Sequence, residues 1–168
     1  MPKFSSVITE SILCGPIPKA RTLASICEKP QTDGERIIAF SAQYLVVPEG
    51  MMTGQPLRLE PFQIAFILSV FDNPHGTRHA YLSLARRNGK TFLVAIILLA
   101  YIIGPMALQN SAIASAAMSR DQAALCYHLM EKMLLLSPAV AGTYRTIPSQ
   151  KKIHGLNKNT EYSALSAD

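Results

Sequence analysis

No two cysteines in this sequence stand at a metal-binding or disulfide-framework spacing. Cys14, Cys27 and Cys126 are few and scattered, which argues against a zinc site and suits a reducing cytoplasm. His75, His79, His128 and His154 likewise show no ligand spacing with cysteines or carboxylates, so no metal site is assigned to histidine. The start, MPKFSSVITESILCGPIPK, lacks a long apolar run, and a secretory signal is not expected. Internal repeats and low-complexity tracts are absent too. Charge is sparse, at 16% of residues, while 49% are hydrophobic, which excludes wholesale disorder. A length of 168 residues allows one full core and is short for two.

Acidic residues are scarce in one half only. Met1 to Arg78 holds seven basic and seven acidic residues, whereas His79 to Asp168 holds nine basic and four acidic. The whole surplus of +5 therefore lies in the second half, where an anionic partner is expected.

Along the chain, residues 1–34 read as an irregular lead-in with short helices. The run GERIIAFSAQYL predicts a helix from Glu35 to about Leu45, closed by Pro48 and Gly50. In LRLEPFQIAFILSVFDNP, Pro61 suits a first helical turn, and Asn73-Pro74 stops the segment. HAYLSLA (79–85) reads as a buried strand, followed by the loop RRNGK and a helix from Thr91 to Ile103 ended by Gly104-Pro105. SAIASAA (111–117) reads as a second strand. Ser119 and Gln122 then form a capping box for the helix that runs to Ser137-Pro138. Short strands and turns complete the chain. This βαβα order predicts an α/β fold with a parallel sheet, the Arg86–Lys90 loop lying at the carboxyl end of the first strand.

That loop admits two readings. A phosphate-binding loop reads GxxxxGK[ST], in which backbone N–H groups and a helix N-terminus hold phosphates, the lysine reaches the β/γ-phosphates and the hydroxyl ligates Mg²⁺. Gly89, Lys90 and Thr91 fit its end, but Leu84 stands where the first glycine belongs. Alternatively the arginines flank a membrane segment, since Phe92 to Leu108 carries no charge. The helix before Gly104-Pro105 is only about 20 Å long at 1.5 Å per residue, short of the roughly 30 Å hydrocarbon core. A helix packed between a sheet and an outer layer is apolar nearly all round in any case.

ARRNGKT resembles the deviant loop of tailed-bacteriophage terminase large subunits, in which patterns such as [SA]-R-x-x-G-K-[ST] replace the glycine-first form. LRLEPFQ (57–63) resembles that family's adenine-contacting segment, IASAAMSRDQAALCYHLMEKM its strand and helix after the loop, and EYSALSAD the strand region before its Walker B acidic pair. The resemblance spans roughly residues 35–168. It implies a P-loop NTPase fold of RecA/ASCE type, incomplete here, with a mostly helical lead-in over 1–56. A partial ATPase domain would follow over 57–168, divided into an adenine-motif segment (57–78) and a loop core (79–168).

The same resemblance implies ATP and Mg²⁺ as ligands. It assigns Gln63, Arg86, Asn88, Gly89, Lys90 and Thr91 to nucleotide binding, Thr91 to the metal, and Arg86 to catalysis as a cis arginine finger. Arg87 receives no role. As partners it implies double-stranded phage DNA, a small terminase subunit and the portal of a procapsid, in a ring formed only in the assembled motor. The place of action would be the cytoplasm of a bacterial host, without a membrane. No Walker B pair or nuclease region is recognisable up to Asp168, so the resemblance implies the N-terminal part of a longer protein that binds nucleotide without turning it over alone. A helicase-type P-loop ATPase, or a membrane-anchored or structural piece without a nucleotide site, are the alternatives.

Overall fold

The computed structural model describes residues 22–166. The lead-in up to residue 21, with Cys14, and the final Asp168 lie outside the described residues. The first helices are α1 (Leu23–Glu28) and α2 (Asp33–Tyr44), the latter opened by Thr32, whose hydroxyl accepts from the Glu35 N–H. Asp33 and Glu35 in its first turn complement the helix dipole. Helix α3 (Pro61–Phe71) begins at its proline as expected, and α4 (Lys90–Ile102) ends before Gly104. Strand β1 (Ala112–Ala117) leads into α5 (Arg120–Leu136), capped by Ser119. Three strands close the chain: β2 (Tyr144–Ile147), β3 (Lys152–Gly155) and β4 (Thr160–Ser166).

The sheet has the order β1-β4-β3-β2. β1 runs parallel to β4, with Ala112 opposite Glu161 and Ala117 opposite Ser166. β4 with β3, and β3 with β2, are antiparallel, so the sheet is mixed and only in part the parallel one expected. Tight turns cause this. Lys151 and Asn159 adopt left-handed backbone at φ 52° and 50°, which reverses the chain within a few residues, too few for a parallel crossover.

The expected strand at 79–85 is a correction: His79 to Ala85 forms no strand. Its alternation is real, with Leu82 and Leu84 half-buried while Tyr81, Ser83 and Ala85 are exposed. Alternation specifies which side of a segment turns inward; a ladder also needs a neighbouring strand, and none of the described strands lies beside this one.

One buried cluster holds the elements together. Ile37 and Ile38 of α2, Leu93, Ile96 and Leu99 of α4, and Tyr127 and Met130 of α5 meet Ile153 and Tyr162 from β3 and β4. Tyr162 shares a 2.6 Å hydrogen bond with Ser115 Oγ on β1. Burial raises its phenol to about 12 and the Cys126 thiol to about 11, so both are neutral core groups near pH 7. No described helix is long and apolar enough to cross a membrane.

Asp72, just past α3, joins two helices. Its carboxylate accepts from the Gly34 N–H at 2.8 Å and the Thr32 hydroxyl at 2.7 Å, so it serves the unpaired donors at the start of α2. Asp72→Ala is expected to cost about 1–2 kcal/mol, the range for losing a helix cap half open to water. Urea unfolding should show a lower midpoint at unchanged slope; an unchanged midpoint would mean water replaces the carboxylate without loss.

Candidate phosphate-binding loop

The loop is placed by the extended arm His79–Ala85 on one side and by α4 on the other. Arg87 and Gly89 both take left-handed backbone, at φ 66° and 69°. Left-handed residues alternating with their neighbours turn successive N–H groups toward one concave side, a geometry suited to anions. A non-glycine residue in that conformation costs roughly 1–2 kcal/mol, and strain of this kind gathers at ligand-binding turns. Gly89 is also the N-cap of α4 and contributes no side-chain cap. The first N–H groups of α4 thus have no acceptor within the helix and sit at the positive end of its dipole.

Lys90 is half-buried. Its Nζ donates to the Leu84 carbonyl at 2.6 Å and to the Ala85 carbonyl at 2.8 Å, which ties the arm to the helix start across the loop. Arg86, Arg87, Asn88 and Thr91 are exposed. The chain has no acidic residue between Asp72 and Asp121, so the two arginines and Lys90 meet no carboxylate from their own stretch. Positive charge, two left-handed residues and a helix N-terminus lie together here, the elements that a polyanion site is built from.

Gln63 comes to the same place from α3. It is 4% exposed, its Oε1 accepts from the Glu60 N–H at 2.9 Å, and its Nε2 lies 3.3 Å from where a Cβ on Gly89 would stand. Of the six residues expected at the site, five are consecutive or nearly so in the loop and Gln63 is brought against them by the fold. Sequence reasoning missed the Leu84 and Ala85 carbonyls, for which no side-chain signal exists. It also missed that Glu60 and Gln63 have the spacing of a capping box, a signal present in the letters. A cavity of about 340 Å³ lies elsewhere, between Arg36, Phe40, Tyr44, Ile103 and Val140; none of the site residues lines it, and the chemistry of the loop outweighs its size. Among the described residues no group of three or more His, Cys, Asp or Glu could hold a metal ion.

Residues 61–164 match the family profile described as "Terminase large subunit, ATPase domain". The large terminase subunit of Enterobacteria phage HK97 is 54% identical over 137 residues, which cover 82% of this chain and 27% of that protein. The crystal structure of the HK97 bacteriophage large terminase superposes with a TM-score of 0.76 at 52% identity, over 82% of this chain and 28% of that one. The chain thus spans about a quarter of the length of these relatives.

Proposed function

The chain belongs to the family of terminase large-subunit ATPase domains, and from that premise we propose that Arg86–Thr91 holds the triphosphate of ATP with Mg²⁺. The observation that carries the reading is Lys90, whose amine reaches back across the loop to the Leu84 and Ala85 carbonyls in a stretch that also holds the left-handed Arg87 and Gly89. Amides of the loop and of the first turn of α4 cradle the phosphates, and Asn88 and Gly89 give the backbone its close approach. Lys90 neutralises β/γ charge. Arg86, exposed and one residue before the first left-handed turn, reaches the γ-phosphate and stabilises charge developing there.

The residues fit Mg²⁺ in the manner usual for nucleotide sites. The described chain offers no carboxylate cage, but Mg²⁺ typically arrives with substrate phosphates and takes only one or two protein ligands. The exposed Thr91 hydroxyl in the first turn of α4 supplies one. In the whole protein this site would power the movement of double-stranded phage DNA into a procapsid, in the bacterial cytoplasm, with the small terminase subunit and the portal as partners.

The test is calorimetric titration of the chain with ATP, with and without Mg²⁺. Saturable binding that Mg²⁺ strengthens is expected, and Thr91→Ala should abolish that strengthening while leaving metal-free binding unchanged. A titration without saturation, or a Thr91→Ala protein as responsive to Mg²⁺ as the wild type, would sink the assignment.

A further inference from the structure

We infer that Asn88 is a site of spontaneous covalent modification, at which deamidation through the Gly89 nitrogen turns a loop amide into a carboxylate. The Gly89 nitrogen gives up its proton and attacks the side-chain carbonyl carbon of Asn88. A C–N bond forms there, the bond to the NH₂ group breaks, and that group leaves as ammonia with the proton. Water then opens the five-membered succinimide at either carbonyl, giving aspartate or isoaspartate. Nothing is oxidised or reduced, and water is the one co-reactant.

The loop meets the requirements of this chemistry. Glycine follows the asparagine, so no Cβ shields the attacking nitrogen, and this is the chain's one Asn-Gly pair. Asn88 is exposed. Among the described residues, neither its side-chain amide nor the Gly89 N–H has a hydrogen-bond partner. The attacking nitrogen must also become an anion, and its surroundings favour one. It belongs to the N-cap of α4, at the positive end of the helix dipole, with Arg86, Arg87 and Lys90 close by in the chain.

A second pair shows what protection looks like. Asp33-Gly34 could cyclise in the same way with loss of water, but the Gly34 N–H donates to the Asp72 carboxylate at 2.8 Å. That nitrogen also lies in the first turn of α2. Asn73 precedes a proline, which has no N–H to lose, and the Asn159 amide donates to Asn110 at 2.8 Å.

The consequence for binding rests on the proposed nucleotide site. A carboxylate at position 88 repels phosphate, and the isoaspartate form adds a methylene to the main chain beside the left-handed Gly89. Conversely, a phosphate held by the loop would occupy the Gly89 N–H and slow the attack. An empty loop ages, and an occupied one is preserved.

The experiment incubates the folded full chain at mildly alkaline pH, with and without Mg²⁺-ATP, and follows Asn88 by peptide mass mapping. A sample unfolded in guanidinium chloride supplies the unprotected rate. Asn88 in the folded chain is expected to convert no more than about tenfold slower than that rate, while Asp33 and Asn159 stay unchanged. Mg²⁺-ATP should slow the conversion by about tenfold, one hydrogen-bond equivalent. Wild-type ATP affinity should fall in step with conversion, toward that of Asn88→Asp. Asn88→Gln, which would have to close a six-membered ring, should hold whatever affinity it starts with. An Asn88 that keeps its amide in the folded chain while the unfolded sample converts would overturn the inference. Conversion that proceeds equally fast with and without Mg²⁺-ATP would overturn the phosphate contact proposed at the loop and leave the modification standing.

Discussion

Lys90→Ala is expected to weaken Mg²⁺-ATP binding about a hundredfold. In the proposed complex the amine would make charge-assisted hydrogen bonds to phosphate oxygens, each contributing roughly 1.5–3 kcal/mol. Against this stands what the amine gives up, the bonds to the Leu84 and Ala85 carbonyls at 2.6 and 2.8 Å. Those are bonds to neutral acceptors partly open to water and weaker than the ones that replace them. The difference leaves about 3 kcal/mol, or roughly two decades in affinity. Alanine also frees the arm 79–85 from the helix start, so the variant should open the loop even without ligand. Calorimetry on folded protein measures the effect, with far-UV circular dichroism as the check on folding. A loss below tenfold in a folded variant would mean that the amine stays on its carbonyls when nucleotide binds.

The largest effect on stability is expected at Gly155, in β3. A Cβ there would stand 2.1 Å from the Ile102 carbonyl oxygen and 2.3 Å from Thr160 Oγ1, distances no real Cβ tolerates. The two atoms it would strike are themselves hydrogen-bonded at 2.6 Å. That bond satisfies one of the last carbonyls of α4 in a fully buried place. Gly155→Ala must therefore move the end of the helix away from the sheet and leave a buried carbonyl without its donor. Overpacking costs about 1–3 kcal/mol and a stranded buried polar group about 1–3 more, so a loss of about 3–5 kcal/mol is expected. For a domain of ordinary stability, about 5–15 kcal/mol, the variant is marginal at best. Urea unfolding should place its midpoint well below that of wild type. A midpoint equal to the wild type would show that β3 packs on the end of α4 less closely than described.

The helices were legible because their ends carry chemistry in single letters. Pro61 opens α3, Gly104-Pro105 closes α4, and Ser119 caps α5, each for a reason that survives without tertiary context. The arm 79–85 was misread because hydrophobic alternation reports a buried side and says nothing of a partner. The hairpins of β2, β3 and β4 were only outlined, since Lys151 takes a left-handed conformation that its identity does not advertise. In the candidate site, Arg86 and the run Asn88, Gly89, Lys90, Thr91 are separated only by Arg87 and could be read directly. Gln63 could be placed near it only by resemblance; its engagement with Glu60 and Gly89 is a product of how α3 lies against the loop.

The tie between Lys90 and Leu84 changes what the missing first glycine means. Leu84 supplies a carbonyl oxygen to the lysine, and every residue type owns one. Its backbone is not among those with positive φ, so the freedom that glycine alone offers goes unused at that position. A search pattern that demands glycine there is testing a property this loop never consults, and will overlook loops that perform the same contact with other letters. Position 84 enters this contact through its main chain alone. Its side chain is left to the half-buried apolar underside of the arm, which is where leucine is of use.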